Sequence, residues 1–144
     1  MAWVKVYWQA PAAVHDADPL RLRALGLSVN KVTALKQVAR AILAGELDEA
    51  ALAPLPTPDL LAALVAHRGI GPWTAAVIAL RGFARLDVFP LNDSGAERSL
   101  RTLAGGVVDV QEILAALAPQ QGMLYYHLLL GRLAARGEVT LRER

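Results

Sequence analysis

Asp93 is the side chain with the clearest capacity for chemistry, and it lies in the stretch "LDVFPLNDSGAERSL" at 86–100. A carboxylate can stabilise a developing positive charge or accept a proton from water. Asp is also a common helix cap, but Ser94 and Glu97 already have the spacing of a capping box. Asp93 is therefore predicted to be free for chemistry, and the positive end of the following helix is expected to keep it ionised.

The stretch "HRGIGPWTA" at 67–75 has the composition of a tight turn followed by a helix. Gly69 and Gly71 allow the backbone to turn sharply and another molecule to approach closely. Pro72 marks the start of the next helix, whose free N–H groups can bind an anion such as phosphate, and the Thr74 hydroxyl adds a donor. A turn between two buried helices without any ligand explains the glycines equally well.

Helices with an apolar periodicity must position these residues. Ser28 is the predicted cap of a helix that stops near Gly45, and Thr57 is the predicted cap of a helix with Pro58 at its first position. Further helices are predicted after the turn and after the capping box, and "DVQEILAAL" and "MLYYHLLLGRL" indicate two more. The sequence therefore predicts an all-α fold, a compact bundle of about seven helices in a single domain over 1–144.

The N-terminal stretch "AWVKVYW" departs from this helical pattern. It alternates along its length and is rich in β-branched and aromatic residues, which is typical of a strand. Because a lone strand in a helical domain has no partner to pair with, residues 1–10 are predicted to form an atypical apolar arm. Self-association through this arm is one way to cover it.

The composition limits the class of protein. Of the 144 residues, 55% are hydrophobic and 19% are charged, which predicts a folded core. The absence of cysteine excludes disulfides, thiolate zinc sites and iron–sulfur clusters. The net charge of +2 permits nucleic-acid binding without requiring it. No apolar run approaches the ~18 residues that span a membrane and no signal-peptide layout is present, so the expected location is cytoplasmic.

The hairpin, the apolar helix after it and the "VFP..D" turn together resemble the helix-hairpin-helix superfamily of DNA glycosylases (HhH-GPD), and within it the 3-methyladenine DNA glycosylase II branch. The resemblance is strongest over 60–101, with the helix-hairpin-helix itself at 60–82. It is weaker over 10–59 and 105–135, and the family's helices before the region near residue 10 are not matched. It implies an HhH-GPD-like helical domain that acts in base-excision repair and is associated with the nucleoid.

The resemblance assigns roles to two residues. Asp93 matches the family's catalytic carboxylate, which stabilises the oxocarbenium-like sugar formed when the N-glycosidic bond of a flipped nucleotide is hydrolysed. Trp73 matches a base-pocket residue that can attract a cationic alkylated purine such as 3-methyladenine, although packing in the core is the alternative for this side chain. Bifunctional relatives have a Schiff-base lysine at the Trp73 position, so a monofunctional enzyme without lyase activity is implied.

The resemblance also implies contacts with duplex DNA and with a cation. The implied DNA-binding residues are Arg68, Gly69, Gly71 and Thr74. A monovalent cation, Na⁺ or K⁺, is implied at the backbone carbonyls of Val65, His67 and Ile70. No other cofactor is required, and an iron–sulfur cluster is not expected.

The sequence departs from the family pattern at several positions. Asn92 stands where many relatives have a second acidic residue, and Gln121 where an arginine is frequent. Arg98 and Arg101 can line the DNA groove, although a solvated helix face is the simpler interpretation, and no wedge residue is assigned. Two other functions stay open: a truncated or degenerate helix-hairpin-helix module that binds DNA without catalysis, and an unrelated helical interaction domain.

Overall fold

The computed structural model of the chain describes residues 11–139, so the arm predicted at 1–10 lies outside the described residues. Within that range the secondary structure comprises nine α-helices and no strand, which confirms the predicted all-α class. The helices are α1 (Pro11–Asp16), α2 (Pro19–Ala24), α3 (Val29–Leu43), α4 (Glu49–Leu52), α5 (Thr57–Val65), α6 (Pro72–Gly82), α7 (Ser94–Ala104), α8 (Val110–Leu117) and α9 (Gln121–Ala135).

Periodicity predicted about seven helices, and the described residues form more because three of the helices are very short. Helices α1 and α2 have six residues each and α4 has four, too few for an apolar repeat to be recognised. Two of them still carry local start signals, since the carboxylate of Asp18 caps α2 ahead of Pro19 and that of Asp48 caps α4. Along residues 11–139, no helix is long and apolar enough to cross a membrane.

The chain divides into two compact units, the first ending at Gly71 and the second beginning at Pro72. In the first unit α1 and α2 pack against α3. Ser28 caps α3, its hydroxyl accepting the N–H of Lys31 at 3.3 Å, and Gly45 follows the end of the helix with a φ of 71°. The predicted start and stop of this helix are thus confirmed.

The predicted cap of α5 is wrong by one residue. Pro56, with a ψ of 150°, occupies the cap position and no side chain caps the helix, so Thr57 is the first helical residue and Pro58 the second. A proline is tolerated at either place because the first-turn N–H groups have no partner within the helix. Helix α5 buries Leu60 and Leu64 in the core.

The second unit is organised around a core to which each of its helices contributes. Helices α7 and α8 both pack against α9. The buried residues of this core are Leu80 from α6, Phe89 from the α6–α7 connection, Ala96 and Leu100 from α7, Leu114 from α8, and Tyr125 and Leu128 from α9. Phe89 lies four residues before Asp93, so this core also anchors the segment that carries the candidate catalytic residue.

Candidate active site

Asp93 is the cap of α7, which corrects the expectation that Ser94 has this role. Its backbone is extended, with φ −83° and ψ 99°, and its Oδ1 accepts the N–H groups of Gly95 and Ala96, each at 2.9 Å. Ser94 is the first helical residue. The carboxylate of Asp93, one residue before Ser94, accepts two otherwise unpaired N–H groups with a single oxygen. Its negative charge also interacts favourably with the positive end of the helix dipole. Capping occupies Oδ1 and leaves Oδ2 to other partners.

The second carboxylate oxygen of Asp93 is bound by a tyrosine from α9. The hydroxyl of Tyr125 donates to Oδ2 at 2.8 Å. The side chain of Trp73 has a smaller effect in the same direction and lowers the pKa of Asp93, and the indole N–H is the donor that a tryptophan side chain offers. Sequence reasoning placed Trp73 and Asp93 in one site but missed Tyr125. The available signal was a tyrosine on a buried face of a helix, because its hydroxyl then needs a partner.

These hydrogen bonds keep Asp93 ionised. Partial burial would by itself raise the pKa of the carboxyl, but hydrogen bonds from the Ala96 N–H, the Tyr125 hydroxyl, the Gly95 N–H and the Trp73 side chain outweigh it. The pKa of Asp93 therefore lies below its ordinary value of 3.8. At neutral pH the site contains a fixed negative charge rather than a carboxylic acid.

Tyr125 is held as a neutral donor. Burial, the hydrogen bond to Asp93 and the negative charge of Asp93 raise the pKa of Tyr125 to about 12, against the smaller opposing effects of Arg81 and Arg132. Its ring packs edge-on against Phe89, with ring centroids 5.7 Å apart and an interplanar angle of 87°. The hydroxyl is thus aimed by packing and stays protonated at every physiological pH.

The connection between α6 and α7 fixes the backbone before Asp93. Val88, Phe89 and Pro90 of the "VFP" stretch are all buried. The N–H of Gly122 donates to the carbonyl of Leu86 at 2.7 Å, which ties this connection to the start of α9. Asn92 has a φ of 63°, in the left-handed region that asparagine tolerates better than most residues. Asn92 therefore contributes a backbone conformation to this connection.

Trp73 is the second residue of α6 and its side chain is 45% exposed. It is therefore not a core residue, and the core-packing alternative is wrong. The indole lies at the carboxylate of Asp93, with a large part of its surface open to a ligand. The assignment of Trp73 to a base pocket stays a prediction.

The turn that precedes α6 uses its two glycines differently. Gly69 has a φ of 100°, and a Cβ there would lie 3.0 Å from Cα of Ala34 on α3, so the turn itself requires glycine. A Cβ on Gly71 would meet nothing within 4 Å. Ile70 between them is buried, with 5% of its surface exposed. Folding therefore explains why residue 69 is glycine, while its contact with DNA stays a prediction, and the open side of Gly71 is accessible to another molecule.

The other predicted DNA-binding residues have different exposures. Arg68 is exposed in the turn and Thr74 is half-buried on α6. Arg68 and His67 line a cavity of about 250 Å³ in the first unit, together with Arg40, which sequence reasoning did not single out. Arg40 is paired with Glu46 at 3.1 Å. Arg68 is therefore the exposed cation that the turn itself contributes.

The carbonyls implied as cation ligands belong to the same turn. The His67 carbonyl accepts the N–H of Ile70 at 3.1 Å. A carbonyl oxygen has two lone pairs, so this bond leaves capacity for a cation, and the donor set of neutral oxygens suits Na⁺ or K⁺. In the part of the chain that the structure describes, no group of three His, Asp or Glu side chains is arranged to hold a metal ion. A cation at Val65, His67 and Ile70 stays a prediction.

Comparison with known proteins supports the resemblance, although no family model matches the chain. The chain is 32% identical over 101 residues to the DNA-3-methyladenine glycosylase of Bacillus subtilis (strain 168), which covers 69% of this chain and 33% of that protein. It is 35% identical over 92 residues to DNA-3-methyladenine glycosylase 2 of Escherichia coli (strain K12), covering 61% of this chain and 30% of that protein. The chain thus spans about a third of the length of these curated relatives.

A solved structure matches the fold over most of the chain. The 3-methyladenine DNA glycosylase of Schizosaccharomyces pombe in complex with abasic DNA has a TM-score of 0.72 and 26% sequence identity. The match covers 92% of this chain and 66% of that one. The resemblance to the 3-methyladenine DNA glycosylases of the helix-hairpin-helix superfamily, indicated by the hairpin and the spaced Asp93, is therefore confirmed in both sequence and fold.

Proposed function

We propose that this chain is a base-excision DNA glycosylase that hydrolyses the N-glycosidic bond of alkylated purines, such as 3-methyladenine, in duplex DNA. The observation that carries the proposal is the pair of Asp93 and Trp73. The Asp93 carboxylate is ionised, and the partly exposed indole of Trp73 is near enough to lower its pKa, which offers one group for a cationic sugar and one for a cationic base. The resemblance to enzymes of this activity supports it.

The chemistry follows from the charge at Asp93. The target nucleotide must leave the base stack to reach a carboxylate on the protein surface. An alkylated purine already carries positive charge, so its bond to C1′ can break with the electron pair leaving on a neutral base. Asp93 then stabilises the cationic sugar, and a water molecule adds to C1′ and loses a proton to solvent. With a lowered pKa, Asp93 acts mainly through its charge and only weakly as a base.

Trp73 is proposed to recognise the base. The face of an indole attracts a cation, and 45% of the Trp73 side chain is exposed to such a ligand. The three lysines of the chain are Lys5, Lys31 and Lys36, all outside the segment from α6 to α7. Because a lyase reaction requires an amine next to C1′, a monofunctional enzyme is proposed.

DNA is proposed to contact the turn before α6. Gly71 with its open Cβ side, the exposed Arg68 and the Thr74 hydroxyl are the proposed phosphate contacts. A monovalent cation at the carbonyls of Val65, His67 and Ile70 would add positive charge near the same phosphate. The proposed location is the cytoplasm, at the nucleoid, where such a substrate is found. Self-association through 1–10 is proposed as well, and sedimentation velocity tests it: a monomer at all concentrations contradicts it.

The decisive experiment is the release of methylated bases. Protein incubated with methylated duplex DNA is expected to release 3-methyladenine or 7-methylguanine, measured by chromatography. Asp93→Asn keeps a capping side chain but removes the charge, so release is expected to disappear while DNA affinity is retained. Salt-sensitive DNA binding by the wild type without any release would instead identify a DNA-binding module without catalysis. Absence of both would contradict the proposed function.

A further inference from the structure

A basic groove lies between α7 and α9 in the second unit, with a volume of about 400 Å³. It is called the α7–α9 groove below. Its walls include Gly95 and Arg98 of α7 and His127 and Arg132 of α9, together with Arg136 just after α9. Among the described residues that line it there is no aspartate or glutamate. The groove therefore has a positive potential, and the site around Asp93 does not account for it.

Arg132 lies at the end of this groove that is nearest to Asp93. A Cβ on Gly95 would collide with the Nη1, Cζ and Nη2 atoms of Arg132, so the guanidinium packs directly over the backbone of Gly95. The N–H of Gly95 in turn donates to Oδ1 of Asp93 at 2.9 Å. The N–H groups in the first turn of α7 thus bind the candidate catalytic carboxylate. The outer surface of the same turn contacts the guanidinium of Arg132.

Two arginines of the groove have no anionic partner among the residues that the structure describes. Arg136 is paired with Glu138 at 3.8 Å, and Arg101, on α7 but outside the groove, is paired with Glu97 at 4.0 Å. Across residues 11–139, neither Arg98 nor Arg132 has a carboxylate within 4.0 Å. Arg132 is also partly buried. A partly desolvated cation without a partner costs free energy that a bound anion would recover.

We propose that the α7–α9 groove binds a phosphate group, with Arg132 and Arg98 as its ligands. A guanidinium presents paired N–H donors whose spacing fits two oxygens of one phosphate. The attraction for an anion comes from the guanidinium groups, because the first N–H groups of α7 are already bound by Asp93. Arg98 was a possible DNA contact in the sequence and Arg132 was not singled out there. Both lie outside the hairpin at 60–82.

The phosphate is inferred to be a DNA phosphodiester next to the nucleotide held at Asp93, and this part rests on the proposed function. If the sugar of that nucleotide faces Asp93, the phosphates on its own 3′ and 5′ carbons lie on either side of the carboxylate. Arg132, packed over Gly95, is positioned to bind one of them. Free inorganic phosphate would be bound by the same chemistry, so the two sources must be separated by experiment.

The first arm of the test uses inorganic phosphate and the wild-type chain without DNA. Phosphate is titrated at constant ionic strength, with chloride as the reference salt, while ¹H–¹⁵N spectra follow the backbone amide of Gly95 and the Nε–H signals of the arginines. Shifts at Gly95 and Arg132 that saturate are expected in the wild type and in Arg101→Gln. They are expected to disappear in Arg132→Gln. Shifts of equal size in Arg132→Gln would overturn Arg132 as a ligand.

The second arm uses duplex DNA with a tetrahydrofuran abasic site and measures the affinity as a function of salt. Loss of one phosphate contact lowers the slope of log K against log salt by about 0.9. That decrease is expected for Arg132→Gln, and none for Arg21→Gln, which changes an exposed arginine of α2. Arg132→Lys is expected to keep most of the slope but to bind more weakly, because it keeps the charge and loses the paired donors. Arg98→Gln, on an exposed position, gives the same readout if Arg132→Gln fails to fold.

The outcomes separate the sources of phosphate. Shifts in the first arm with an unchanged salt slope in the second would assign the groove to free phosphate and overturn the DNA contact. A lower slope without shifts would assign it to DNA alone. Neither effect would overturn the site altogether. A wild-type chain that binds phosphate but releases no methylated base would contradict the proposed function while leaving the phosphate site supported.

Discussion

The hydroxyl of Tyr125 donates a hydrogen bond to Oδ2 of Asp93 at 2.8 Å, while Oδ1 of the same carboxylate accepts two backbone N–H groups of α7. The two residues are 32 positions apart in the sequence. Each carboxylate oxygen is therefore oriented by a different element, α7 for one and α9 for the other. This relationship makes Tyr125 a positioning residue for the candidate catalytic charge.

Replacing Tyr125 by phenylalanine is expected to lower kcat for base release by about tenfold, since a hydrogen bond to a charged group is worth about 1.5–3 kcal/mol. KM is expected to change little, because the hydroxyl acts through Asp93 and is not proposed to contact the substrate. The Tyr125 hydrogen bond lowers the pKa of Asp93, so its loss raises that pKa and moves the acidic limb of the kcat–pH profile to higher pH. The measurement is single-turnover release of methylated base across the acidic pH range.

The neighbouring tyrosine provides the control for that variant. The Tyr126 hydroxyl donates to the backbone carbonyl of Leu80 at 3.4 Å, so Tyr126→Phe removes a hydroxyl from the same helix while leaving the bond to Asp93 intact. An unchanged pH profile is expected for Tyr126→Phe. Equal effects of the two substitutions would show that Tyr125 supports the fold and does not position Asp93.

The stability of the fold is expected to depend on pH through Asp93. Its pKa is lowered in the folded state relative to the ordinary value of 3.8. The ionised carboxylate therefore stabilises the fold above the unfolded-state value, and this contribution disappears as the pH falls through the folded-state value. Asp93→Asn is expected to be less stable than the wild type by about 1 kcal/mol at pH 7, and equally stable once Asp93 is protonated. Urea unfolding at pH 7, and at a pH low enough to protonate Asp93 in the folded protein, measures this difference.

Asp109→Asn is the matched control for the stability measurement. Asp109 caps α8 with an exposed carboxylate that accepts the N–H groups of Gln111 and Glu112. It shares the capping role of Asp93 without the contribution of Tyr125 and Trp73, so Asp109→Asn measures the loss of a capping charge alone. A difference between wild type and Asp93→Asn that stays constant with pH would contradict the role given to the charge.

The two glycines of the turn are expected to separate folding from DNA binding. Gly69→Ala places a Cβ at a φ of 100° and 3.0 Å from Cα of Ala34, so a loss of about 1–3 kcal/mol of stability is expected. Gly71→Ala adds a methyl group to open space and is expected to change stability by less than about 0.5 kcal/mol. DNA affinity is expected to fall for Gly71→Ala, measured by fluorescence anisotropy. Unchanged affinity would remove Gly71 from the DNA contact.

Gly122 is expected to be essential for holding the connection that leads to Asp93. A Cβ there would lie 2.9 Å from the carbonyl oxygens of Leu86 and Val88, so Gly122→Ala must displace this connection. A loss of about 2 kcal/mol or more is expected, together with reduced base release. Gly131→Ala on the same helix meets nothing within 4 Å and is expected to be neutral or stabilising by up to about 1 kcal/mol. Thermal unfolding of the two variants decides this, and similar melting temperatures would contradict it.

Much of the fold was predictable because its signals are local. Apolar periodicity and the punctuation by Ser28, Gly45 and Pro72 indicated the long helices, and the structure confirms them. The prediction of the α7 cap was wrong because two neighbouring residues are nearly equivalent as caps. Ser94 and Asp93 are both good caps, and the choice fell to the residue whose backbone was extended and whose carboxylate reached two N–H groups. Helices of four to six residues carried too little periodicity to be recognised.

The sequence by itself determined the candidate site as far as its most informative residues, Asp93 and Trp73. Their types, their separation by twenty positions and the hairpin beside them carried the resemblance to the DNA glycosylases, and that resemblance indicated the chemistry. Only the tertiary structure decided the partners of the carboxylate and the packing of Arg132 over Gly95. The physical reason is that helix caps and periodicity depend on neighbouring residues. The pKa of a carboxyl or the pairing of an arginine depends instead on side chains that the fold brings from distant helices.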